Sequence, residues 1–200
     1  MKLNVFTGKN YDEVLNEALE TLNLNKEDVV VSKKEKKGLF KSEVELTVTP
    51  LTDIVEYAKD FITDLFKKIN IELKFESSIR DKQILLKMHS DDSPIIIGYG
   101  GKNLQALQTV IRGVIKSKFG VTPYISLDVG NYKDRQIKNI ERMAKRIAKE
   151  VTKTGIPVEL DNMNSYERLV VHNIVAKFDK VISESEGEEP NRRVWIKPKE

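Results

Sequence analysis

Few residues in this 200-residue chain could do covalent chemistry. It has no cysteine, which excludes thiolate nucleophiles, thiolate metal sites and disulfides. Its two histidines, His89 and His172, stand far apart, and no His/Asp/Glu cluster has the spacing of a zinc site. No metal and no cofactor is expected. A hydrolytic site needs a general base, an electrostatic stabiliser and usually a metal. His172 with Arg168 and Glu167 comes nearest, but it lacks a second histidine or a pair of aspartates. The reading is therefore of a protein that is not an enzyme. Cleavage of RNA that disappears with His172→Ala would overturn it.

Two other patterns have the composition of anion-binding sites. The first is Ile95-Ile96-Ile97-Gly98-Tyr99-Gly100-Gly101-Lys102-Asn103-Leu104, a short apolar helix running through G-x-x-G into an amphipathic helix. Glycines let the backbone turn sharply and let a sugar-phosphate chain approach without a Cβ in the way. The second helix aims its N-terminal amides at the same spot. Gly98, Tyr99, Gly100, Gly101 and Lys102 are the candidate contacts, with Tyr99 able to stack on a base and Lys102 supplying charge. The plainer alternative is a helix–turn–helix corner that needs glycine for packing. A dinucleotide fingerprint needs G-x-G-x-x-G directly after a strand, and a phosphate-binding Walker loop needs Ser or Thr where Asn103 stands.

The second pattern is Arg168-x-x-x-His172, four residues apart and so on one helical face. Both residues are expected at the rim of a buried side made by Val170, Val171, Ile174, Val175 and Phe178. Arginine offers a planar fork for phosphate, and histidine a hydrogen bond or a stacking plane. Alternatively, Arg168 holds a carboxylate such as Glu167 or Glu188 while His172 fills a core edge. Arg192 and Arg193 follow downstream. The helix leading in carries a basic stripe of Lys138, Arg142, Lys145 and Lys149, joined by Arg135, Arg146 and Lys153. Such a stripe is a solvated face, a membrane-surface helix, or an electrostatic track for a phosphate chain; beside the glycine turn the third is preferred.

The elements that must position these residues are legible as three groups. Residues 1–50 read as strand, helix, strand, strand, with Val14, Leu15, Ala18, Leu19 and Leu22 on one helical face. A turn falls at Lys36-Lys37-Gly38, where Leu39 and Phe40 form either an exposed docking site or a buried corner. Residues 51–130 read α-β-β-α-α-β. A helix uses Ile54, Val55, Ala58, Phe61, Ile62, Leu65 and Phe66. Strands follow at Ile71 to Phe75 and Gln83 to Met88, joined by a polar turn at Ser77 to Lys82. Ser93 caps a one-turn helix with Pro94 at its first position. Leu104, Leu107, Ile111, Val114 and Ile115 mark the next helix, and Tyr124 to Leu127 the last strand. Residues 131–200 give a long helix to Lys153, a strand at Val158 to Leu160, and a helix from Asn164 to about Phe178. Strands at Lys180 to Ser183 and Arg193 to Ile196 close the chain. Asn164 and Glu167 stand in capping-box positions.

Charge and hydropathy agree with a polyanionic partner. The net charge is +3, and residues 131–200 hold 15 basic against 12 acidic groups. No apolar run approaches the ~18–20 residues of a membrane span. The start, Met1-Lys2-Leu3-Asn4, lacks the apolar region of a signal peptide, so a cytoplasmic location is expected.

The αββααβ order with its G-x-x-G resembles the type II KH domain over Leu51 to Val129. Arg168-x-x-x-His172, followed by the run from Ser185 to Val194, resembles the single-stranded nucleic-acid-binding domain named for that spacing, over Tyr132 to Pro198. The module order, the joint Ser126 to Tyr132 and the stretch Tyr166-Glu167-Arg168 are similar to the Jag (KhpB) family, with Lys37-Gly38-Leu39-Phe40 in the first domain. The resemblance implies an α+β fold of three small modules: βαββ in 1–50, type II KH in 51–130, and a helix/three-strand Arg-x-x-x-His domain in 131–200. It implies non-catalytic binding of single-stranded RNA, as post-transcriptional regulator or RNA chaperone, with single-stranded DNA as the other substrate class. It also implies partnership with a small single-KH protein, a homodimer as a further option, and a role in cell envelope growth, division or sporulation. The competing reading is a protein adaptor whose KH domain serves dimerisation, because Tyr99 and Gly100 stand where KH loops usually carry a basic residue. Many relatives have a longer charged linker after the first domain; this chain has almost none.

Overall fold

The computed structural model describes residues 4–37 and 42–199. The Leu39–Phe40 turn lies outside the described residues. The fold is α+β, with two compact units, Met1–Gly130 and Asn131–Glu200.

The first unit opens with β1 (Asn4–Gly8), α1 (Tyr11–Leu22), β2 (Val29–Lys37) and β3 (Ser42–Pro50). The strands form an antiparallel sheet in the order β1-β3-β2. Asn10 caps α1 by accepting from the Asp12 amide, and Asn23 ends it in the left-handed region. The helix buries Val14, Leu15 and Ala18 against Val29, Leu46 and Val48. Pro50 then caps α2 (Leu51–Lys67) directly, with no linker, and the Leu51 amide donates to Asp28 O at 2.8 Å.

β4 (Lys74–Arg80), β5 (Gln83–His89), α3 (Ser93–Ile97), a 3-10 turn at Tyr99–Gly101, α4 (Lys102–Phe119) and β6 (Tyr124–Val129) complete the unit. Their sheet order is β4-β5-β6, with β4–β5 antiparallel and β5–β6 parallel. Parallel pairing demands a crossover, and the α3–turn–α4 segment supplies it. Ile84, Leu86 and Met88 pair with Ile125, Leu127 and Val129, and all six are buried. α4 buries Leu104, Leu107, Ile111, Ile115 and Phe119, the 3.6-residue stripe expected except that Val114 is only half-buried.

Several boundaries in this unit differ from the sequence reading. β2 runs through Lys36 and Lys37, where a turn was expected, and β6 runs on to Val129. β4 begins at Lys74, not Ile71, and runs on to Arg80, so the turn shrinks to Asp81–Lys82. Both turn residues have positive φ, 49° and 60°, the type I′ geometry that matches strand twist. β4 showed no alternation because nearly all of it is exposed, and its serines read as turn. Asp92, not Ser93, precedes α3; the Ser93 hydroxyl donates to Ser90 O instead.

The second unit holds α5 (Tyr132–Thr154), β7 (Val158–Glu159), α6 (Ser165–Val175), β8 (Val181–Glu186) and β9 (Arg193–Pro198). Its antiparallel sheet has the order β7-β9-β8. Ile140, Ala144, Ile147, Ala148 and Val151 of α5 pack with Val171, Ile174 and Val175 of α6 and with Val181, Val194 and Ile196. The Asn164/Glu167 capping box is formed. After Val175 the chain tightens into turns closed over three residues, Lys177 N donating to Ile174 O and Phe178 N to Val175 O. β8 reaches Glu186, three residues beyond the expected end, because its alternate residues Ser183 and Ser185 face the helix side.

Candidate nucleic-acid interface

The glycine turn serves two purposes at different positions. Gly98 sits at φ +70°, and a Cβ there would meet the Asn103 side chain at 2.5 Å. Asn103 in turn donates from Nδ2 to Ile95 O at 2.8 Å, tying the start of α4 back onto α3. Gly98 is thus required by packing. Gly100, at φ +59°, has no atom within 4 Å of where a Cβ would stand, so it faces open space. Tyr99 is 90 % exposed, with Lys102 Nζ 6.0 Å from its ring centroid. Among the described residues no side chain caps α4, whose N-cap is Gly101; the Lys102 amide itself donates back to Tyr99 O.

Farther along α4, Gln108 bonds the outer edge of β6, donating to Ile125 O at 2.6 Å and accepting from Leu127 N at 2.7 Å. Its amide thereby satisfies two polar groups of an edge strand that would otherwise be open. Beyond it, Arg112, Ile115, Thr122, Pro123, Tyr124 and Ile125 line a depression of about 400 Å³. Neither Gln108 nor Arg112 was a sequence candidate, because contacts 17 and 19 residues away leave no local signature.

In the second unit, Arg168 is 7 % exposed, not at a rim. Its guanidinium donates to Met163 O at 2.7 Å and to Ser165 Oγ at 3.2 Å, and pairs with Glu189 at 2.8 Å. The expected carboxylate was Glu167 or Glu188; it is Glu189, since Glu167 is committed to the capping box. His172 is half-buried, and its ring nitrogens meet Ser183 Oγ at 2.7 Å and Ser185 Oγ at 2.8 Å. Burial, and then the neighbouring Arg168 charge, lower its pKa. Arg192 lies nearby through the Met163 N to Arg192 O bond, its Nε buried without a partner among the described residues, while Arg193 pairs with Glu159. Tyr166 and Leu169 are both exposed on α6 and were not among the sequence-derived contact candidates.

Lys138, Arg142, Lys145 and Lys149 are all exposed along α5. Arg142 folds back onto Asn139 Oδ1 and Lys138 O. Like charges three and four residues apart cost a helix roughly 0.2–0.5 kcal/mol per pair. The five buried α5 residues, each contributing more than that on burial, hold the helix in spite of the repulsion. The stripe presents four cations on the exposed face of the helix. Among the described residues, no group of three or more His, Asp or Glu side chains could hold a metal ion, and no helix is long and apolar enough to cross a membrane.

Fold and site define a class: a KH module followed in one chain by an Arg-x-x-x-His module. Comparison with known families agrees. Residues 53–125 match the KH domain of KhpA/KhpB, and residues 138–198 match the domain family named for its Arg-x-x-x-His spacing. Together these models match more than half of the chain, and the chain belongs to the KhpB family. Similar proteins include the RNA-binding protein KhpB of Clostridium symbiosum, 32% identical over 141 residues, covering 70% of this chain and 64% of the relative. That of Bacillus subtilis is 24% identical over 202 residues, covering 96% of each chain. That of Streptococcus pneumoniae is 29% identical over 145 residues, 72% of this chain, and the match spans only 43% of the relative's length. The chain thus matches less than two thirds of the length of the first and the third of these relatives.

Proposed function

We propose that this chain is a non-catalytic, single-stranded-RNA-binding protein whose primary site is the groove between α4 and β6. The observation that carries this reading is the Gly98–Lys102 turn. It sets an exposed aromatic ring, a lysine and the N-terminus of α4, which no side chain caps among the described residues, around a glycine with open space before it. A phosphate chain fits that arrangement, with Tyr99 stacking on a base. Relatives named as RNA-binding proteins support it.

The basic face of α5 is the electrostatic track, and the Arg168/His172 region with Arg192 and Arg193 the second contact. Two modules in series raise avidity through effective concentration. We keep three modules, 1–50, 51–130 and 131–200, a small single-KH protein as partner, and regulation of transcripts for envelope growth, division or sporulation. His172, held by two serines, has among the described residues no carboxylate partner of the kind that activates a catalytic imidazole.

Fluorescence anisotropy of an unstructured RNA pool at two salt concentrations tests this. Wild type should bind with a clear salt slope. Gly100→Asp/Gly101→Asp should lose most of the affinity while staying folded, because Gly100 has room and aspartate tolerates positive φ. Absence of wild-type binding at low salt would sink the RNA reading and favour the adaptor.

A further inference from the structure

Thr122 and Pro123, which line the depression beside Arg112 and Tyr124, also line a second cleft, of about 590 Å³, where the N-terminal sheet meets the loop after α4. Gly120 lets the two approach: a Cβ there would lie 3.3 Å from Ser32 Oγ of β2. Lys26 and Lys33 enter the cleft from the N-terminal segment and Lys82 from the β4–β5 turn, and its lining holds no carboxylate among the described residues. Lys33 Nζ stands 6.0 Å from the ring centroid of Tyr11, which also lines the cleft.

Lys26 and Lys82, two exposed lysines from separate segments brought into one concave site, form a phosphate-attracting surface. The distance suits a continuing strand. From Lys102 to Ile115 α4 rises about 20 Å at ~1.5 Å per residue, which the roughly four nucleotides held by a KH fold occupy. We propose that this lysine cleft is a second RNA site, in which the N-terminal module binds the backbone of nucleotides leaving the KH groove. The proposal rests on the KH-groove reading above and adds a binding role for the N-terminal module.

The test compares an unstructured RNA of about four nucleotides with one three times as long, using the full chain. Lys26→Gln/Lys82→Asn removes two charges from exposed positions, and asparagine keeps the positive φ of the turn. Wild type should bind the longer RNA more tightly. The double variant should bind it three- to tenfold more weakly, with a salt slope reduced by about 1.4, at roughly 0.7 per phosphate contact. Its affinity for the short RNA should not change. An unchanged affinity and slope for the longer RNA would overturn the lysine cleft, even while Gly100→Asp/Gly101→Asp abolishes binding of both. Failure of wild type to bind either RNA would overturn the KH reading and this inference with it.

Discussion

Arg168→Ala separates a structural brace from a ligand contact. The substitution strips a donor from buried Met163 O and from Ser165 Oγ, and leaves Glu189 without its cation. An orphaned buried acceptor costs about 1–3 kcal/mol. Glu189 is 54% exposed, so losing that pairing adds no more than about 1 kcal/mol. The sum is about 1–4 kcal/mol. For a unit of about 70 residues each kcal/mol moves the midpoint by about 4–8 °C, so the second unit should melt roughly 4–30 °C lower. Trp195, the chain's single tryptophan, lies in β9 and reports that unit by fluorescence. Glu189→Gln, which keeps both donors to Met163 and Ser165, should shift the midpoint by only a few degrees. An Arg168→Ala midpoint within about 2 °C of wild type, together with lost RNA affinity, would refute the brace and make the guanidinium a ligand group.

Gly98→Ala should cost about 1–3 kcal/mol in chemical denaturation, because the new Cβ meets Asn103 at positive φ, whereas Gly100→Asn should cost well under about 1 kcal/mol. His172 has a lowered pKa in the folded state, so the unfolded chain binds its proton first. The stability this supplies is complete above the unfolded value of about 6.5 and is lost as pH falls through the folded pKa. Melts followed through Trp195 at about pH 7.5 and about pH 5.5, on either side of that value, should differ in wild type, and differ less in His172→Gln. Gln108→Ala should expose the Leu127 amide, measurable as faster hydrogen exchange there, and destabilise the first unit by about 1–2 kcal/mol.

Sequence reading succeeded where a periodic or capping rule applied. The α4 stripe from Leu104 to Ile115, the α5 stripe and the Asn164/Glu167 capping box are local patterns with local causes. It slipped at β4, because a strand exposed along most of its length has no alternation to read. The surroundings of Arg168 were illegible for another reason. A charged residue is expected at a rim, and only the meeting of Met163, Ser165 and Glu189 compensates its burial. Gln108 was invisible because its partners arrive through the parallel pairing of β5 and β6, a tertiary event with no local signal.

The most direct measurement is ultraviolet cross-linking of the intact protein to an unstructured single-stranded RNA, with the adducts mapped by mass spectrometry. The account predicts adducts on the turn carrying Tyr99 and Lys102, and along the α4–β6 groove near Arg112 and Tyr124, lost in Gly100→Asp/Gly101→Asp. Adducts confined to α5 and α6, unchanged in that variant, would contradict a primary site in the KH groove.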